Sequence, residues 1–275
     1  MRVCSNTGRR GKIRAGNAQD EVRKSNDSDS RGKLAVVGIG PGDPDQMSWR
    51  AHQVIKEADV IIGYKTYIEL LGDLIKGKEV ISSGMTREVE RSLLAIERAA
   101  AGQYVAVVSS GDPGIYGMAG VTLELLEKQD VGDQIDVEIV PGISSANAAA
   151  ASLGAALMHD FAVVSLSDLL TPWEVIEKRL EAAAAADFVI VLYNPVSKKR
   201  TEQIKRAREV FLRHKPLKTP VGIVRNAKRG NEKVIHTDLE HFLENEIDMF
   251  TIVLIGNKET YRSGRFMITP RGYNL

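Results

Sequence analysis

Leu34-Ala35-Val36-Val37-Gly38-Ile39-Gly40-Pro41-Gly42-Asp43-Pro44 is the stretch on which the fold turns. Its first half is a short continuous apolar run, and its second half is turn chemistry that neither a helix nor a strand interior tolerates. The pair predicts a buried strand feeding a loop. Downstream, Ser48 is placed to cap a helix in which Ala51, Val54, Ile55 and Ala58 recur on one face. A second apolar run, Val60 to Gly63, predicts another buried strand. Val89, Leu93, Ile96 and Ala100 predict a helix, and Tyr104 to Ser109 a strand that ends in Ser110-Gly111-Asp112-Pro113-Gly114. A helix from about Ala119 to Lys128 and a strand from Val137 to Val140 follow. Strands alternating with helices imply parallel strands joined by crossover helices, an α/β fold.

After Val140 the chain runs through Pro141-Gly142 into Ser144-Ser145-Ala146-Asn147 and an alanine run that stops at Gly154, a helix with a hydroxyl cap and a terminal glycine. Side chains this small let a neighbouring backbone or ligand approach closely. A domain boundary is expected at 157/158. Beyond it, strands are expected at Phe161 to Leu166, Phe188 to Leu192, Val221 to Val224, Lys233 to Thr237 and Thr251 to Ile255. Helices are expected at about Pro172 to Ala186, Lys198 to Arg213 and Asp238 to Glu244. The alternation loosens toward the end, so hairpins and a mixed sheet are expected there. The expected organisation is therefore an extension over 1–32, an α/β domain over 33–157 and a second α/β domain over 158–275.

Composition bounds the partners. The 275 residues carry 37 basic and 36 acidic side chains, a formal charge of +1, which argues against a generic polyanion binder such as a nucleic-acid protein. No run approaches the roughly 18 apolar residues of a membrane helix. The single cysteine, Cys4, excludes an intramolecular disulfide or a CxxC pair and suits a reducing compartment, with the cytoplasm as the expectation. The balance conceals an asymmetry. Eight basic and four acidic residues give residues 1–32 a charge of +4, leaving −3 on the rest. That first segment is rich in Ser, Asn, Gly and Arg without apolar periodicity, and is expected to be a disordered tail. Cys4 lies in it, without an activating context. His52, His159, His214, His236 and His241 have no ligand spacing, and no metal is expected.

In a parallel α/β sheet, ligands gather at the carboxyl ends of strands. Four such ends are loaded with glycine, proline and hydroxyls: Gly38 to Pro44, Ser109 to Gly117, Pro141 to Asn147 and Ser165 to Asp168. The first tempts a dinucleotide reading, but Asp43 stands where GxGxxG needs its third glycine, and Pro41 removes an N–H from the phosphate cradle. No GxxxxGK[ST] element occurs, so a P-loop nucleotidase is not expected either.

Taken together, Val37 to Pro44, Ser110-Gly111-Asp112-Pro113-Gly114-Ile115-Tyr116-Gly117 and Val140 to Ala146 resemble the tetrapyrrole methylases. The resemblance runs from about Lys33 to Phe266. It implies two α/β domains with S-adenosylmethionine in the cleft between them, a tetrapyrrole substrate and a homodimer. Ser165 to Trp173, Leu192 to Ser197 and Val224 to Ala227 are most similar to a branch that methylates a ring carbon of a cobalamin precursor while contracting the macrocycle. Methylation of another corrin carbon or of a non-tetrapyrrole substrate is the alternative.

By the same resemblance, Pro41, Ser110, Gly111, Asp112, Ile115, Ser144, Ser145, Tyr193 and Asn194 match positions that contact the cofactor. Ring contraction calls for a positioned acid or base, and Asp43 and Asp112, in the Gly-Pro loops, are the candidates. A polycarboxylate substrate calls for local positive charge. Lys198, Lys199, Arg200 and Arg225 are the principal candidates, with Lys65, Arg87, Lys228 and Arg229 as further loop cations. A nicotinamide oxidoreductase and a non-catalytic binding protein are the rivals from other classes.

Overall fold

A computed structural model describes residues 31–274. The extension expected over residues 1–32 therefore lies almost wholly outside the described residues, and so does Cys4.

The first apolar run forms β1 (Gly32–Gly38), in which every residue but Lys33 is buried. Ser48 Oγ accepts the Ala51 N–H at 3.2 Å and opens α1 (Trp49–Glu57). Then come β2 (Val60–Tyr64), α2 (Lys65–Leu71), β3 (Glu79–Ser83), α3 (Glu88–Ala100), β4 (Tyr104–Ser109), α4 (Ala119–Gln129) and β5 (Ile135–Val140). The five strands are all parallel, in the order β3-β2-β4-β1-β5. Alternate residues of β1 serve opposite faces: Leu34 and Val36 pack with α3 and α4, Ala35 and Val37 with α1. This two-sided burial is why the strand reads as a continuous apolar run. The sequence missed α2 and β3. At the sheet edge β3 keeps Glu79, Val80 and Ser82 exposed, so it carries no apolar run to find.

The second half comprises α5 (Ser145–Leu153), β6 (Gly154–Ala155), β7 (Phe161–Ser165), α6 (Trp173–Ala185), β8 (Val189–Tyr193), α7 (Gln203–Leu212), β9 (Pro220–Arg225), β10 (Lys233–Asp238), β11 (Thr251–Ile255), β12 (Tyr261–Ser263) and β13 (Phe266–Ile268). A mixed sheet runs β10-β9-β11-β8-β7. Only β7 and β8 pair in parallel; β8–β11, β11–β9 and β9–β10 are antiparallel. A small sheet, β12-β13-β6, completes the chain. Helices α6 and α7 bury one face of the mixed sheet.

Helix α5 covers the other face, its Ala146, Ala149 and Leu153 packing on Val191, Val224, Ile252 and Leu254. The approach is so close that a Cβ on Gly222 of β9 would fall 2.3 Å from Leu153 Cδ1. The alanine run is thus a helix packed on the second sheet, although it precedes the boundary expected at 157/158. Two expected helices shrink. Ser197 and Arg200 exchange backbone hydrogen bonds at 2.9 and 3.2 Å, so α7 begins only at Gln203. The helix expected over 238–244 is a single 3-10 turn, Phe242–Glu244, because Asp238 still belongs to β10 and its Oδ1 caps the His241 N–H at 3.0 Å. Among the described residues no helix is long and apolar enough to cross a membrane.

Candidate active site

Three loops leave neighbouring carboxyl ends of the parallel sheet, after Gly38, Ser109 and Val140, and they interlock through their backbones. Gly40 and Gly111 exchange N–H···O bonds of 3.2 and 2.7 Å. The Asp112 carboxylate ties the second loop to itself and to the third: Oδ1 accepts from the Gly114 N–H at 2.8 Å and Oδ2 from the Gly142 N–H at 3.0 Å. A Cβ on Gly142 would fall 2.2 Å from the Gly111 carbonyl oxygen, and one on Gly38 2.7 Å from the same atom. Glycine is required at both by close approach of backbone to backbone. Ser144 Oγ accepts the Asn147 N–H at 3.2 Å and starts α5.

The second sheet meets these loops with side chains. Tyr193, at the end of β8, accepts the Ala146 N–H on its hydroxyl at 2.9 Å; burial pushes its phenol up, so it stays protonated. Tyr116, held at a φ of +55°, donates its hydroxyl to the Val163 carbonyl at 3.2 Å and accepts the Ser165 N–H at 3.1 Å, tethering the loop after β4 to β7. The Tyr116 and Tyr193 rings lie 5.4 Å apart, centroid to centroid. Asn194, at a φ of +50°, donates Nδ2 to Ser165 Oγ at 2.9 Å. The Arg200 guanidinium donates to the Asn194 carbonyl at 2.7 Å and to Ser167 Oγ at 3.3 Å, while its buried Nε–H has no partner among the described residues. Arg229, from the loop between β9 and β10, donates Nε–H to the Pro41 carbonyl at 2.6 Å and a terminal N–H to Ser110 Oγ at 3.2 Å.

Two adjoining cavities result. One of about 180 Å³ is walled in part by Pro41, Ser110, Ile115, Ser145, Tyr193 and Asn194; the other, about 450 Å³ and more open, by Asp112, Ile115 and Ser144 among others. Eight of the nine cofactor candidates thus line the pair. Gly111 lies buried behind them, and its backbone forms the bridge to Gly40.

Of the two candidate acids, Asp112 has both oxygens engaged by backbone N–H groups. Asp43 is exposed, lines neither cavity, and accepts the Asp45 N–H at 3.0 Å as the cap of a short 3-10 turn. Arg225, expected to offer free charge to a substrate, is paired with Asp248 at 2.7 Å and Glu246 at 3.3 Å. Lys198 and Lys199 are exposed on their turn; neither they, Arg200, Lys65, Arg87 nor Lys228 lines either of these two cavities. Arg229 does. Sequence reasoning missed Tyr64, Tyr67, Met85, Tyr116 and Phe250 as cavity-lining residues. Met85 follows the unrecognised edge strand. Tyr116 alone had a local signal, standing inside the recognised Ser110–Gly117 loop.

The glycine loops of the parallel sheet face Tyr193 and Arg229 of the mixed sheet, and the chain belongs to the tetrapyrrole methylase family. A family profile described as Tetrapyrrole (Corrin/Porphyrin) Methylases matches residues 33–243. The chain is 49% identical over 242 residues to a probable cobalt-factor III C(17)-methyltransferase of Salmonella typhimurium, covering 88% of this chain and 100% of that one. It is 50% identical over 247 residues to a cobalt-factor III methyltransferase of Priestia megaterium, of which the match spans only 45%. Among solved structures, the methyltransferase CobJ superposes with a TM-score of 0.81 at 35% identity, covering 87% of this chain and 100% of that one. A uroporphyrin-III C-methyl transferase from Thermus thermophilus, complexed with S-adenyl homocysteine, superposes with a TM-score of 0.63 at 26% identity, over 82% of this chain and 92% of that one.

Proposed function

We propose that this protein is an S-adenosylmethionine-dependent methyltransferase of cobalamin biosynthesis, methylating C17 of cobalt-factor III or its cobalt-free counterpart precorrin-3B, with contraction of the macrocycle. The observation that carries the reading is the cavity at which Pro41, Ser110, Ile115, Ser145, Tyr193 and Asn194 converge, together with 49% identity over the full length of the Salmonella relative. The homodimer and the cytoplasmic location implied by the family belong to the same proposal.

The residues fit an adenosyl amino acid. The walls alternate apolar surface, from Pro41, Ile115 and the tyrosine rings, with the hydroxyls and amides of Ser110, Ser145 and Asn194. When bound, S-adenosylmethionine supplies a methyl group on a sulfonium, which needs neither a metal nor a nucleophilic side chain. The protein's part is positioning and exclusion of water. The interlocked loops hold their N–H and carbonyl groups rigidly. Tyr193 braces the start of α5, and Tyr116 ties the first-sheet loops to β7. Asp112 performs its bridging as an acceptor of two N–H bonds, so it acts as an orienting group; any proton handling in the contraction by Asp43 or Asp112 remains part of this proposal.

Calorimetry with S-adenosylhomocysteine and NADH in parallel tests the class. Binding of the first alone is expected, and binding of NADH alone would overturn the reading. Incubation with cobalt-factor III and methyl-labelled S-adenosylmethionine then tests the reaction, the expected product carrying one more labelled methyl and an altered chromophore.

A further inference from the structure

Arg229, like Arg200 and Arg208, bonds neutral acceptors only, but of the three it alone lines the smaller cavity. Its stem lies across Gly42, where a Cβ would fall 2.7 Å from the arginine Nε. Its two bonds, to the Pro41 carbonyl and Ser110 Oγ, engage neutral acceptors only and use two of its five N–H groups. Among the described residues no carboxylate reaches it. The contrast is with Arg91, buried against Glu88 at 3.2 Å, and Arg225, paired with Asp248 at 2.7 Å. Burial pushes the Arg229 guanidinium below its ordinary range, yet an arginine remains charged at neutral pH. Arg229 is half-buried, and a partly desolvated charge with neutral partners only is a ready site for an anion. Arg229 lines the same cavity as Tyr193 and Asn194, so the anion that can arrive is one carried by a ligand of that cavity.

We propose that Arg229 is the carboxylate receptor of this cleft: two N–H groups hold the Pro41 and Ser110 loops in place while the uncommitted ones take a carboxylate of the bound ligand. The inference rests on the methyltransferase reading above and deepens it. Two sources share the chemistry, the amino-acid end of S-adenosylmethionine and a carboxylate arm of the macrocycle. A lysine, with one point charge, cannot serve two loops and a carboxylate at once.

The experiment compares wild-type protein with Arg229→Gln and Arg229→Lys, each first checked for a cooperative thermal transition. The probes are S-adenosylhomocysteine, methylthioadenosine (which lacks the amino-acid end) and cobalt-factor III. If the cofactor is the source, Arg229→Gln weakens S-adenosylhomocysteine by roughly ten- to a hundredfold and leaves methylthioadenosine unchanged. If the macrocycle is the source, S-adenosylhomocysteine binds as before and KM for cobalt-factor III rises at least tenfold with kcat held within twofold. In either case Arg229→Lys is expected to recover part of the loss. Equal losses for both nucleosides, a fall in kcat alone, or no change at all would overturn the proposal, leaving Arg229 a structural clasp. Should Arg229→Gln not fold, the same comparison with Arg229→Lys decides. Wild-type protein that binds no S-adenosylhomocysteine would overturn the methyltransferase reading itself, a result separate from any effect of the variants.

Discussion

The two sheets build one site by opposite means. The parallel sheet contributes main chain: Gly38, Gly111 and Gly142 pack backbone on backbone, and the Asp112 carboxylate is engaged by two backbone N–H groups. The mixed sheet contributes side chains that reach outward: Tyr193 to the Ala146 N–H, Arg200 to the Asn194 carbonyl, Arg229 to Pro41 and Ser110. One surface sets shape and leaves no room for a side chain at Gly38 or Gly142. The other sets charge and hydrogen bonding, where a side chain can be trimmed without moving the chain.

The largest effect that would break this contrast is at Gly142. In Gly142→Ala the new Cβ meets the Gly111 oxygen at 2.2 Å and the Gly38 oxygen at 2.8 Å, and neither is a flexible side-chain end. A loss of about 3 kcal/mol or more is expected, which for a chain of this size lowers Tm by roughly 6–12 °C. Gly120→Ala is the control, because no atom of the described residues lies within 4 Å of its Cβ position. Helix α4 should be unchanged or slightly stabilised. Equal melting of the two variants would remove the claim that the loops are sterically locked.

Next in size is Asp112→Asn, which keeps the shape but turns one acceptor into a donor facing a backbone N–H. A loss of about 2 kcal/mol in unfolding experiments is expected, with weaker S-adenosylhomocysteine binding, because the loop after Val140 loses its tie. Stability and binding both at wild-type level would show that the bridge does not order the site. Tyr193→Phe, on the side-chain surface, should cost about 1 kcal/mol, the net value of one hydrogen bond to the Ala146 N–H. Burial holds its phenol protonated above the ordinary tyrosine range, so the bond should persist, and binding should stay flat, from pH 7 to about 9.5. Titration of binding with a midpoint in that window would contradict the neutral phenol.

The contrast also explains what the sequence could and could not say. The main-chain surface is local. A buried strand followed by Gly40-Pro41-Gly42 or Pro141-Gly142 announces itself within ten residues, and β1, β4 and β5 were legible with their loops. The side-chain surface is not local. Arg229 could be read as a loop cation, but its partner Pro41 is 188 residues away, and no periodicity connects them. Nor is every side chain of the parallel sheet local: Tyr116, in the loop after β4, reaches Val163 across 47 residues from a left-handed backbone that its composition does not announce. The pairing of Arg225 is equally non-local: it ends β9, and its partner Asp248 stands 23 residues further along the chain.

The smallest effect tests the basic run Lys198-Lys199-Arg200, a candidate because the family's substrate is a polycarboxylate and the run directly follows Tyr193-Asn194-Pro195. Its lysines are exposed and line neither cavity, so they can reach an anionic substrate only through solvent. Over such a path the interaction decays within about 8 Å at physiological ionic strength. The double variant Lys198→Gln, Lys199→Gln should therefore leave stability within about 0.5 kcal/mol of wild type. It should raise KM for cobalt-factor III by no more than roughly threefold at low salt, and the difference should vanish in about 0.5 M salt, where screening is complete over shorter distances. Arg229 behaves otherwise, because a desolvated contact is screened far less. A KM rise in the lysine variant of tenfold or more that survives high salt would put Lys198 and Lys199 in contact with the substrate. The division between a shape-setting surface and a charge-setting one would then have to extend to the start of α7.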